Sequence, residues 1–260
     1  MKLIKIPSSL GGLGKANSSE QAPDRIVEKT KELWLSENGV LPLFDVDEVK
    51  IVKSNIAETN KAIFDKIGAA KSNFIALGGD HSITHSCFKA FAQNNPNAGI
   101  VVFDAHPDLM QSFDVPSHEN FLRMLIEEGF VKKENVILVG TRNSDKEELN
   151  FIKQNKIKVF SMKEISAEGK ESACDAIMSV AKDFGSLYLS IDIDAVDPAF
   201  APGTGYPEAG GLTSRELLYF IQRIRLLKNF RAADIVEVNP AKDVNDMTSL
   251  LAAKIAVELC

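Results

Sequence analysis

Short apolar runs recur along the chain and alternate with longer segments whose apolar positions return every three or four residues. The runs fall at residues 2–7, 49–53, 73–77, 99–103, 135–139, 157–160, 186–191 and 231–236. Stretches such as IVVF at 100–103, LYLSI at 187–191 and ADIV at 233–236 are apolar almost throughout rather than alternating. Strands buried on both faces have this pattern, as in a parallel sheet covered by helices. Helical periodicity covers 23–34, 58–70, 83–93, 118–128, 146–154, 170–183, 214–227 and 247–259. Thr213 and Glu216 have the spacing of a capping box at the start of one of these helices. Strands alternating with helices predict right-handed crossovers and a three-layer αβα sandwich around an eight-stranded, mostly parallel sheet. No repeat or linker divides residues 1–260, so one domain is expected.

The polar residues are not scattered over this frame. They follow four of the strands: Gly78-Gly79-Asp80-His81-Ser82, Asp104-Ala105-His106-Pro107-Asp108, Asp192-Ile193-Asp194 and Glu237-Val238-Asn239-Pro240. Ligands of open α/β sheets bind beyond the carboxyl ends of the strands. Motifs distant in sequence are therefore expected to converge at one sheet edge. In Asp104-x-His106-x-Asp108, three potential metal ligands fall within five residues, and an extended backbone would set all three on one side. Asp192 and Asp194 are two carboxylates directly after an apolar strand, costly unless a cation neutralises them. Two imidazoles, His81 and His106, with four carboxylates, Asp104, Asp108, Asp192 and Asp194, balance two divalent ions. Mixed oxygen and nitrogen ligation without thiolate suits Mn²⁺, with Fe, Co, Ni or Zn as alternatives. Two such ions close together can bridge one water, lower its pKa and deliver hydroxide to an electrophilic carbon.

Other polar residues read as structural. His85 follows His81 by one helical turn and is assigned to the helix surface or to packing. Asp197, before Pro198, is assigned to a turn or to a place behind the ligands rather than to direct ligation. Gly11-Gly12-Leu13-Gly14-Lys15 fails the phosphate-loop frame, because Ser9 and Ala16 stand where Gly and Ser or Thr are required, and reads as an ordinary βα loop. The loop from 198 to 211 is long for its place, as functional loops often are.

Composition adds exclusions. Net charge is −6, which argues against nucleic acid or an anionic membrane as the main partner. No apolar run approaches the ~20 residues of a membrane span, and the start lacks the apolar core of a signal peptide. Three widely spaced cysteines, Cys87, Cys174 and Cys260, form neither a disulfide framework nor a zinc spacing. A reducing cytoplasm is the expected compartment. All four histidines lie between positions 81 and 118.

The motifs at 78–82, 104–108, Ser190–Pro198, Ala201–Gly205, Gly210–Thr213 and Asp234–Pro240 together resemble the ureohydrolase family of arginase, agmatinase, formimidoylglutamase and guanidinobutyrase. The resemblance is close over about residues 75–260 and loose before that. It implies a binuclear manganese hydrolase that splits a guanidino or amidino group and usually releases urea. One ion would be held by His81, Asp104, Asp108 and Asp192, the other by His106, Asp104, Asp192 and Asp194, with Asp104 and Asp192 bridging. Glu237 matches the family glutamate that pairs with the guanidinium, and His118 matches a histidine that shuttles protons. Asp145 aligns with an aspartate that meets the substrate amine. The departures concern the substrate. Met110 replaces an asparagine that arginase uses on the α-carboxylate, and 113–117, Phe-Asp-Val-Pro-Ser, replaces its Ser/Asn-rich loop. Tyr206 replaces a usual threonine near the guanidinium and would reshape the pocket. Ser117-His118 followed by Arg123 leans toward agmatinase, with arginase, formimidoylglutamase or another guanidino hydrolase as the alternative. Trimers or hexamers are the family habit. A one-zinc deacetylase-type hydrolase, or a catalytically silent metal binder, would be missing a ligand, Glu237 or His118; none is missing.

Overall fold

The computed structural model describes residues 1–14, 18–70, 73–111 and 114–260. Lys15 of the glycine-rich stretch and Phe113 of the loop before His118 lie outside them. The strands are β1 (Lys2–Ile6), β2 (Asp45–Glu48), β3 (Phe74–Gly78), β4 (Ala98–Phe103), β5 (Val136–Val139), β6 (Lys158–Phe160), β7 (Ser186–Asp192) and β8 (Phe230–Val236). The helices are α1 (Ala22–Thr30), α2 (Ile56–Gly68), α3 (Ile83–Asn94), α4 (Phe121–Glu127), α5 (Lys146–Asn155), α6 (Met162–Glu168), α7 (Lys170–Ala181), α8 (Ser214–Ile224) and α9 (Met247–Glu258).

The strands form one sheet in the order β2-β1-β3-β8-β7-β4-β5-β6, and every pairing is parallel, so the expectation of a mostly parallel sheet is tightened. The central strands are buried on both faces, and successive residues alternate between two cores. In β4, Val101 and Phe103 pack with α1 and α6–α9 on one face, while Ile100 and Val102 pack with α2–α4 on the other.

Four readings of the chain need correction. The second strand is Asp45–Glu48, not 49–53. It is a sheet edge paired only with β1, so its acidic side chains stay exposed and it lacks the apolar run of a central strand. Helix α6 was not expected at all, although Ser161 and Glu164 cap it reciprocally. Helix α1 stops at Thr30, leaving Trp34 85% exposed. His118 precedes α4 instead of opening it, because Ser117–Asn120 form a turn in which the Asn120 side chain accepts from the Ser117 amide.

The sheet order explains why distant motifs meet. The four strands that carry them, β3, β8, β7 and β4, are contiguous at the centre of the sheet. Gly79 makes this edge compact: a Cβ there would stand 2.0 Å from the carbonyl oxygen of Ser8.

Candidate metal centre

Asp104, Asp192 and Asp194 each spend one oxygen on backbone and aim the other inward. Asp104 Oδ1 accepts from the His106 amide at 2.6 Å, Asp192 Oδ1 from the Asp194 amide at 2.8 Å, and Asp194 Oδ1 from the Ala105 amide at 3.0 Å. The second oxygens converge on imidazole nitrogens. His81 Nδ1 lies 3.1 Å from Asp104 Oδ2, 3.0 Å from Asp108 Oδ2 and 3.2 Å from Asp192 Oδ2. His106 Nδ1 lies 3.1 Å from Asp194 Oδ2 and 3.4 Å from Asp104 Oδ1. Two groups result, His81–Asp104–Asp192 and Asp104–His106–Asp194, with Asp104 common to both. The 104–108 segment is not extended as its spacing suggested. The Asp104 side chain closes a turn on His106, and Asp108 adopts a left-handed backbone at φ 53°. The turn sends His106 to one group and Asp108 to the other.

The residues fit divalent cations. His81 Nδ1 and Asp104 Oδ2 are buried and make no hydrogen bond of acceptable geometry. Such orphaned atoms are costly unless something absent from the protein chain satisfies them. The His81 tautomer suits ligation as well. Ser190 donates to Asp234 Oδ1 at 2.6 Å, so its oxygen accepts from His81 Nε2 at 2.9 Å and leaves the Nδ1 lone pair facing the centre. Tyr188 and Thr84 also donate to Asp234, at 2.7 and 2.8 Å. Burial and the neighbouring carboxylates push Asp192 well above the usual carboxylate range and Asp108 up to about 8. Burial opposes ionisation of Asp104 too, but His106 and His81 outweigh it and hold that carboxyl low. Cations would remove the mutual repulsion of these acids. A looser carboxylate stands behind His106: its Nε2 is 3.6 Å from Glu208 Oε1, which accepts from Asn143 at 2.6 Å.

Glu237 follows β8 with φ 62°. Its amide donates to Gly79 O at 2.8 Å, and its Oε1 accepts from the His81 amide at 2.8 Å. Its Oε2 is buried with no partner. His118 Nδ1 is 3.4 Å from Glu237 Oε1, and both residues are buried. These residues line a cavity of about 350 Å³ together with Met110, Asp145 and Tyr206. Asp145 is at its exposed rim and caps α5, accepting from the Glu147 amide through Oδ1.

The residues read as structural behave so. His85 Nε2 faces Glu128 at 3.3 Å, and Asp197 accepts from the amides of Ala199, Gly210 and Gly211. The glycine-rich loop is different: Gly11 and Leu13 reach the site, and the Leu13 amide donates to His118 Nε2 at 3.1 Å. Sequence reasoning also missed two buried carboxylates. Asp80 binds the Gly11 and Ser82 amides, and Glu148 binds those of Leu109 and Asp145. Burial raises both, Asp80 to about 6. For Glu148 the acidic position three after Asp145 was a capping-box signal; for Asp80 the signal was its place in the histidine motif.

Comparison with known proteins adds a family. A family model described as the arginase family matches residues 1–260. An arginase of Staphylococcus aureus strain MRSA252 is 36% identical over 190 residues, covering 67% of this chain and 63% of that protein. An agmatinase of Escherichia coli is 31% identical over 204 residues, covering 78% of this chain and 64% of that protein. The crystal structure of formimidoylglutamase from Bacillus subtilis superposes with a TM-score of 0.94 at 28% identity, covering 99% of this chain and 85% of that one.

Proposed function

This chain belongs to the arginase family, and from that premise we propose that it is a two-metal hydrolase of a guanidino compound whose tail ends in an amine, with agmatine as the type substrate. The relatives named above carry three different activities, so family alone leaves the substrate open. The observation that carries the choice is the charge of the cavity. Its lining includes Glu119 and, at the exposed rim, Asp145, and no lysine or arginine is among its described lining residues. Met110 offers a carboxylate tail nothing to bind. An ammonium is attracted to such a mouth and a carboxylate is repelled.

Under this reading His81, Asp104, Asp108 and Asp192 hold one ion, and His106, Asp104, Asp192 and Asp194 the other. Manganese suits the oxygen-rich donor set. Two ions there supply Lewis-acid activation of water. The protein's own groups do the rest. Glu237 Oε2 takes a guanidinium N–H and fixes where the central carbon lies. His118, beside Glu237, is placed to hold or move a proton. Water adds to the guanidinium carbon, the carbon–nitrogen bond to the tail breaks, and the nitrogen leaves as the amine with urea as the second product.

The test is a panel of agmatine, arginine, guanidinobutyrate, guanidine and formimidoylglutamate with metal-reconstituted protein, reading urea, ammonia and formamide separately. Urea from agmatine with the highest kcat/KM is the expected result. A preference for arginine replaces the amine-tail reading, and no product from any of them overturns the hydrolase reading.

The Ser190–Asp234 support of His81 gives a separate expectation. In Asp234→Asn the amide cannot accept all three hydroxyls, so His81 loses its fixed tautomer. Metal affinity should fall about 10–100-fold, as for other residues behind a metal ligand. Chelator competition measures it, and an unchanged affinity refutes the role.

A further inference from the structure

The N-terminal loop, read from sequence as an ordinary connection, is tied to the site at four points. The Gly11 amide donates to Asp80 Oδ2 at 3.0 Å, and Gly11 O accepts from the His118 amide at 3.1 Å. The Leu13 amide donates to His118 Nε2 at 3.1 Å, and Leu13 O accepts from the Tyr206 hydroxyl at 3.0 Å. The approach is close: a Cβ on Gly11 would stand 2.2 Å from Ser82 Oγ. The Tyr206 ring also packs on the His118 ring, with centroids 5.2 Å apart and planes at 57°.

The direction of the Leu13 bond has a chemical consequence. A backbone amide has only a proton to give, so His118 Nε2 must offer its lone pair. A neutral imidazole then carries its proton on Nδ1, 3.4 Å from Glu237 Oε1. We propose that Tyr206 is a positioning residue: by latching Leu13 it holds the backbone amide against His118 and fixes the imidazole in the Nδ1–H tautomer, turned toward Glu237. His118 in this chain is thus not a free shuttle to solvent. Gaining a second proton on Nε2 would set N–H against N–H, so charging it requires the loop to move off. The groups facing His118 press the other way. Burial opposes charging His118, but Glu237 outweighs it and raises its proton affinity, with Asp108 and Asp80 acting through charge, and Glu119 Oε1 stands 3.8 Å from Nε2. The latch therefore couples loop position to the proton state of the one imidazole beside the substrate glutamate. A threonine at position 206 is too short to span the same gap, which gives a physical meaning to the tyrosine there.

Tyr206→Phe tests this, since it keeps the ring and removes the latch. The full chain, labelled with ¹⁵N-histidine, has only four histidines, and His118→Asn assigns the His118 signals. Long-range ¹H–¹⁵N correlation on metal-free and Zn²⁺-loaded protein should show the Nδ1–H form of His118 in the parent chain and a shift toward Nε2–H in Tyr206→Phe. An Nε2–H parent, or His118 signals unmoved by the substitution, overturns the proposal. The kinetic arm rests on the function proposed above. With the best substrate of the panel, kcat should fall about tenfold while KM changes less than about threefold. A change confined to KM makes Tyr206 a pocket wall only and overturns the positioning role. If no substrate is turned over, the functional reading fails, and the nitrogen signals still decide the tautomer.

Discussion

Asp192→Asn is expected to lose activity and to gain stability in the metal-free state. Asp192 Oδ2 faces His81 Nδ1 at 3.2 Å, and it belongs to the buried His81–Asp104–Asp192 group. Asparagine keeps the cap on the Asp194 amide but removes a negative charge and turns an NH₂ toward the metal position. Bound metal should fall below that of the parent chain, read by elemental analysis after dialysis. Lewis-acid stabilisation is worth several kcal/mol, and at 1.36 kcal/mol per tenfold the loss in turnover is about 10³-fold. The same NH₂ meets an unpartnered acceptor in His81 Nδ1. Satisfying a buried orphan recovers about 1–2 kcal/mol, so the metal-free variant should unfold at higher denaturant than the metal-free parent. The sign of the pH dependence follows from the raised Asp192. Its burial is tolerated while it is protonated, and stability is lost as pH rises from the unfolded carboxyl value toward the folded one. The variant's advantage should therefore widen with pH. Equal or lower stability at every pH means that the carboxylate cluster is not strained without metal. Retained metal and turnover remove Asp192 from the centre.

The candidate ligand residues were legible because their signal is local. Carboxylates and imidazoles clustered at the ends of apolar runs stand out, and β3, β8, β7 and β4 are apolar enough to be recognised unaided. Strand β2 was misplaced because its sequence, DVDE, is that of an exposed edge. The N-terminal loop was illegible for a different reason. Leu13 and His118 are 105 residues apart, and their bond uses a backbone amide, which every residue but proline possesses. No choice of side chain announces it. Tyr206 did stand out, as a departure from the usual threonine, but nothing in its own neighbourhood of sequence names Leu13 as its partner. Period-two spacing also misled at 104–108, where Asp104 folds the segment back on the His106 amide instead of leaving it extended.

Glu237→Gln is expected to lower kcat/KM about 10³-fold while leaving metal content and fold as they are. The two carboxylate oxygens are already distinguished. Oε1 accepts from the His81 amide, a bond that the glutamine carbonyl preserves, and Oε2 is buried with nothing to accept from. Glutamine therefore places its NH₂ at the Oε2 position, where it opposes a guanidinium N–H instead of accepting it. Charge-assisted hydrogen bonds contribute about 1.5–3 kcal/mol each, and losing one while adding a donor–donor contact totals roughly 4 kcal/mol. The backbone is no obstacle, since any non-glycine residue at φ 62° bears the same strain as the glutamate. The variant thus separates positioning of the substrate from assembly of the metal centre, in contrast to Asp192→Asn, which removes a candidate ligand. Elemental analysis should match the parent, and steady-state kinetics should show the loss with every guanidino substrate of the panel. Near-normal turnover of all of them would falsify the guanidinium role of Glu237 and, with it, the guanidine reading of the cavity.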